Sequence, residues 1–154
     1  YRVLTNRMPA GTVLQVVQST YTTSFSTSST SFVATGFSVS ITPQSTTSKI
    51  MLIANLGDIR NGSTSGSVVT LYRNSTNISP SSYGSFQYGQ VNGALFIMPC
   101  TISYLDNPST TSSITYQVYC FATSGTIYIN DQTSTISLIA MEISAFVVNG
   151  LENM

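Results

Sequence analysis

Apolar residues recur at every second position through much of the chain. Phe37, Val39 and Ile41 alternate with Ser38, Ser40 and Thr42. A strand points successive side chains to opposite faces, so this spacing predicts a half-buried strand with its hydroxyls toward solvent. The stretch Lys49 to Leu56 is apolar on both parities. It predicts a central strand covered on both faces, by a second sheet or by a neighbouring subunit. Further strands are predicted at Val13 to Gln18, Tyr21 to Phe25, Val68 to Tyr72, Ala94 to Tyr104, Ile114 to Ala122, Thr126 to Ile129 and Ser134 to Ser144. Turn signals such as Thr42-Pro43, Asn61-Gly62, Asp106-Asn107-Pro108 and Ser124-Gly125 separate them. No segment repeats with a helical period. The fold class expected is all-β, an antiparallel β-sandwich or jelly roll.

Size changes this picture only by limiting it to one core. A chain of 154 residues at 42% hydrophobic supports a single full-sized domain. Residues 13–148 are expected to form it, with 1–12 as a connecting segment and 149–154 as a tail. The chain opens at Tyr1, which suggests a fragment, a processed product or the end of a longer polypeptide.

Charge is more restrictive. Ser and Thr make up nearly a third of the sequence, charged residues only 6%, and the formal net charge is zero. Such a chain lacks the basic surface that nucleic acid or an anionic membrane requires, so neither is an expected partner. There is no His. Neither a Ser-His-Asp nor a Cys-His arrangement can therefore be built, and His-based zinc sites are excluded. A non-enzymatic protein without metal or cofactor is expected.

Three groups of residues remain as candidates for chemistry. If strands alternate up and down, the loops carrying Asp58, Asp106 and Asp131 meet at one end. There they would form a polar or cation-binding cluster, accept sugar hydroxyls, provide an acid pair, or simply cap their own turns. Between Asn74 and Gly93, Tyr83, Phe86, Gln87, Tyr88, Gln90 and Asn92 mix aromatic rings with amides, as antibody binding loops do. This is a candidate receptor-binding surface, and Arg60 and Asn61 offer a competing one. A hairpin turning at Leu105 to Ser113 would set Cys100 near Cys120, as a disulfide or a packed pair. Glu142 interrupts the last apolar strand, and Arg73 or Lys49 is expected to reach it. Three matches to the glycosylation acceptor pattern, at Asn61, Asn74 and Asn77, are what chance gives in so hydroxyl-rich a chain.

Several segments carry a resemblance. Pro9 to Gln18, Thr35 to Pro43 followed by Ser48-Lys49-Ile50, Leu71 to Asn74, Ser103 to Pro108 and Ser134 to Ile143 resemble the C-terminal head domains of bacteriophage tail fibres. The closing strand is similar, more distantly, to trimeric C1q-like and tumour-necrosis-factor-like jelly rolls. The resemblance implies a homotrimeric knob at the tip of an external virion fibre, joined to an upstream fibre or virion protein. It also implies attachment to a host-surface glycan or protein receptor. The alternative is a capsid or tail decoration module that stabilises the particle and binds no receptor.

Overall fold

The computed structural model describes residues 9–61, 66–79 and 97–145, together with the backbone of 86–89. Two antiparallel sheets face each other. In the first, β1 (Val13–Tyr21), β11 (Ile136–Ile143), β4 (Lys49–Asn61) and β8 (Ile97–Asp106) lie side by side. Short β10 (Ile127–Ile129) takes over from β11 at the far end of β4, and β2 (Phe25–Thr27) pairs with β10. The second sheet runs β3 (Val33–Ile41), β9 (Ile114–Ala122) and β5 (Gly66–Arg73), with β6 (Thr76–Asn77) and β7 (Phe86–Gly89) along the outer edge of β5.

The expected antiparallel sandwich is therefore present, and its pairing is nested. β1 pairs with β11, β3 with β9, β4 with β8 and β5 with β7. First with last and inward in order is a long hairpin rolled into two layers, the jelly-roll arrangement.

Period two decides which side chains enter the core. Phe37, Val39 and Ile41 are buried, as are Leu52, Ala54, Val118, Cys120, Leu138 and Ala140. Each large aliphatic side chain buried this way stabilises the fold by about 1.5–3 kcal/mol relative to exposure. The alternate residues of the first sheet form its outer wall, and register sets them in rows. Val16, Met141, Met51 and Leu105 make one row across four strands; Gln18, Ile139, Ile53 and Ser103 make the next; Thr20, Ser137, Asn55 and Thr101 make a third. The double-parity run of β4 thus has one face in the core and one on this wall. Val16 and Leu105, at its two margins, are 56% and 48% exposed.

Four expectations need correction. Leu105 to Ser113 does not turn a hairpin, because β8 joins the first sheet and β9 the second. Cys100 and Cys120 accordingly come from opposite layers, and both are buried free thiols. Burial pushes each up to about 12. Tyr21 closes β1, and the following strand begins only at Phe25. The segment expected to be a binding loop contains β6 and β7, with Phe86 to Gly89 paired against β5. Finally, neither Arg73 nor Lys49 is the partner found for Glu142. This fully buried carboxylate accepts the Gln15 side-chain amide at 2.6 Å and the Gln44 backbone N–H at 2.7 Å, so hydrogen bonds offset its desolvation.

Arg73 instead crosses from the second sheet to the first. Its Nη1 donates to both oxygens of Asp106, at 3.1 and 3.0 Å, and the buried Tyr116 hydroxyl donates to Asp106 Oδ2 at 2.7 Å. One carboxylate from β8 therefore ties down two strands of the opposite layer.

Candidate functional site

The site begins with an interruption. β10 and β11 both run antiparallel to β4, as if they were one strand broken by residues 130–135. Opposite that break β4 carries a bulge. Its register with β8 slips between Asn55, which faces Thr101, and Asp58, which faces Pro99. Two residues therefore oppose the single Cys100, which bends the strand. Gly57 makes the bend possible, with φ at +69°. A Cβ built there would lie 2.8 Å from Asn130 Oδ1, so both conformation and space require glycine.

Asp58 and Asn130 hold the broken segment in place. The Asp58 carboxylate accepts the backbone N–H groups of Asp131 and Gln132, each at 3.2 Å, and its carbonyl accepts that of Asn130 at 2.7 Å. Asn130 Nδ2 donates to the carbonyls of Ser134 at 2.7 Å and Thr23 at 3.2 Å, fixing the turn to the segment between β1 and β2. Its own Oδ1 is buried with no hydrogen-bond partner among the described residues. Asn130 and Thr133 both adopt left-handed backbone, with φ at 57° and 53°. For a β-branched residue such as Thr133 this is an unfavourable conformation that only its surroundings maintain. Beside the turn, Arg60 Nε donates to Asp131 Oδ2 at 2.6 Å and the guanidinium sits 3.9 Å from the Tyr128 ring centroid. The bond to Asp131 raises the Arg60 pKa above its already high ordinary value.

Bulge and break together leave an open cleft of about 440 Å3. It is lined by Asn55, Gly57, Asp58, Ile97, Pro99, Gln132, Ser134 and Thr135. Amides, hydroxyls and one carboxylate oppose a small apolar patch. Among the described residues the lining carries no cation, and hydrogen bonding to a polar ligand is available on several sides. The cleft lies just beyond the row of Asn55 and Thr101, on the same outer wall as the apolar rows.

The expected three-aspartate cluster is not formed. Asp58 and Asp131 do come together, but Asp106 lies at the other end of β8, seven residues beyond Pro99 or about 23 Å of strand. Among the described residues no three His, Cys, Asp or Glu side chains gather as a metal site. Arg60 stands beside Asp131, as above, while Asn61 is buried and accepts a hydrogen bond from the Ser67 hydroxyl. Asn61 is thus part of the fold and not of the surface. Tyr83, Gln90 and Asn92 lie outside the described residues. Phe86, Gln87 and Tyr88 are placed only as the backbone of β7, whose end at Gly89 faces Gly66.

Reasoning from sequence missed Asn55, Gln132, Ser134 and Thr135, which carry no motif. It also missed a cluster on the outer wall of the second sheet. There Tyr72 and Tyr119 stack at 3.8 Å, and Phe32 meets Phe121 edge-on at 4.8 Å. Alternation in β5 and β9 was the available signal.

Comparison with known protein families finds no model that matches the chain, and no curated protein matches its sequence.

Proposed function

We propose that the chain is the receptor-binding head of an external virion fibre, assembled as a homotrimer and attaching to a host-surface glycan or protein. The observation that carries this reading is the outer wall of the first sheet. Its row through Met51 is apolar on all four strands and the next keeps Ile139 and Ile53 at its centre, with no element among the described residues packed on them. Apolar surface of this extent on a soluble domain marks an interface, and copies of the same chain are the occupants that the resemblance to trimeric fibre heads implies. Assembly leaves the ends of the sandwich free, where several weak contacts made at once give firm attachment.

Light scattering tests the assembly. The expected mass is three times the 16.5 kDa of one chain, and Met51→Lys, in the middle of the first row, is expected to reduce it to that of one. A monomer at micromolar concentration would remove the reading's main support. Adsorption of the purified head to host cells tests the attachment. Loss of particle stability on deleting the head, with adsorption intact, would favour the decoration module instead.

A further inference from the structure

We infer that the cleft between the β4 bulge and residues 132–135 is a subsite for one uncharged sugar residue. This refines the attachment reading by naming the class of ligand.

Charge excludes most other ligands of this size. Among the described residues Arg60 is the cation beside the cleft, where Asp131 and the Tyr128 ring occupy it, and the described lining contains no Lys or Arg. A sialic acid, phosphate or sulfate would therefore lose its water without meeting an opposite charge, and would face the Asp58 carboxylate. A planar aromatic ligand finds no ring to stack on among the described residues that line the cleft.

A pyranose meets neither objection. It presents hydroxyls around its rim and C–H groups on its faces, and the cleft has the complementary division. Exposed Gln132, Ser134 and Thr135 flank β4 on one side and Ile97 and Pro99 of β8 on the other, with the exposed Asn55 amide on β4 between them. Asp58 accepts one N–H on each oxygen, and a carboxylate has about four lone-pair sites, so acceptor capacity remains for a sugar hydroxyl. About 440 Å3 lies within the range of small-molecule sites. The walls are also preorganised. The turn is held by Asp58 and Asn130, and the bulge by left-handed Gly57, so little ordering is left for the ligand to impose.

The test is titration of the whole chain, with backbone amides followed by NMR. The probes are the methyl glycosides of glucose, galactose, mannose and N-acetylglucosamine, with N-acetylneuraminic acid as the anionic comparison. At least one neutral glycoside is expected to saturate, with shifts at Asn55, Gln132, Ser134 and Thr135, while the anionic sugar produces none. Gln132→Ala with Thr135→Ala, two exposed positions, should weaken binding at least tenfold without moving the melting temperature. The inference is overturned if no neutral glycoside shifts these amides, if the anionic sugar binds there equally well, or if the shifts map to Tyr72 and Tyr119 instead. Cell adsorption measured in parallel separates the two claims. Adsorption without cleft binding retires the sugar subsite alone, and cleft binding without adsorption supports the subsite while retiring the fibre head.

Discussion

Each end of the sandwich holds an Asp, an Arg and a Tyr, and the two groups do opposite work. At one end Asp106, Arg73 and Tyr116 lock together across the layers, with the carboxylate side chain only 8% exposed. At the other, Asp131, Arg60 and Tyr128 sit at the rim of the cleft, with the ion pair 22% and 27% exposed. The difference lies in what the carboxylate bridges. Asp106 joins strands of different sheets, so its loss exposes a defect in the core. Asp131 belongs to a turn that Asp58 already holds by its backbone, so its side chain is a local fastening only. Charged residues are scarce in this chain, and the buried end uses them for cohesion while the open end uses them to shape a surface.

The largest effect should come from breaking the closed end. Asp106→Ala leaves the buried Tyr116 hydroxyl without its acceptor and releases Arg73. Arg73 reaches solvent, so its share is small; the stranded hydroxyl and lost packing should bring the total to about 2–3 kcal/mol. Denaturant unfolding followed by fluorescence measures it. An effect below the scatter of the assay would mean that Asp106 is not a clamp.

Next comes the glycine of the open end. Gly57→Ala places a methyl 2.8 Å from Asn130 Oδ1 at a φ of +69°, which should cost about 1–3 kcal/mol. Here the comparison sharpens, because the same substitution should also abolish sugar-induced shifts at Gln132, whereas Asp106→Ala should leave them intact in the folded fraction.

The two ends were not equally legible in the sequence. Period two located most strands and their core faces, since burial on one side imposes it directly, as at Phe37, Val39 and Ile41. Pairing order is not a local property, and there the reading failed. β7 lies in a stretch of Gly, Ser, Gln and Tyr without a clear apolar alternation, so it was read as loop. One unseen strand inverts an up-and-down count, which is why Asp106 was expected beside Asp58 and instead lies at the far end of β8. The cleft was hidden for a different reason. Gly57 falls at the end of an otherwise continuous apolar run, and the left-handed backbone of Asn130 and Thr133 depends on tertiary contacts to Asp58 and Thr23. Asp58 itself was recognised as a turn-forming residue, but the turn it holds is 73 to 74 residues away.

Alkaline titration probes the buried core, Tyr116 of the closed end included, with the chain unmodified. The Cys100 and Cys120 thiols have ordinary values near 9 and are held at about 12 by burial. Tyr116 is raised above its ordinary 10 by burial first and by its bond to Asp106 second. In each case the folded state keeps a proton that the unfolded state releases. Stability is therefore fully present below pH 9 and falls as pH rises from there toward 12. The melting temperature should be level from pH 7 to about 9 and then decline. Tyr116→Phe starts from lower stability but should decline less steeply above pH 10. Parallel slopes in the two proteins would show that Tyr116 contributes nothing to the linkage.

The smallest effect is expected at the open end's own ion pair. Asp131→Ala removes a 2.6 Å contact with Arg60, but both groups are solvated, and exposed pairs of this kind are worth about 0–1 kcal/mol. Arg60 keeps its place over the Tyr128 ring, and the residue 131 N–H still donates to Asp58, because that bond comes from the backbone. Unfolding should shift by less than about 1 kcal/mol. The informative readout is ligand charge. Freeing Arg60 places an unpaired guanidinium beside the cleft, so N-acetylneuraminic acid should begin to bind to the variant at low salt and lose that binding as salt rises. If the variant still ignores the anionic sugar, charge at the rim does not set the specificity, and the contrast between the two ends reduces to burial alone.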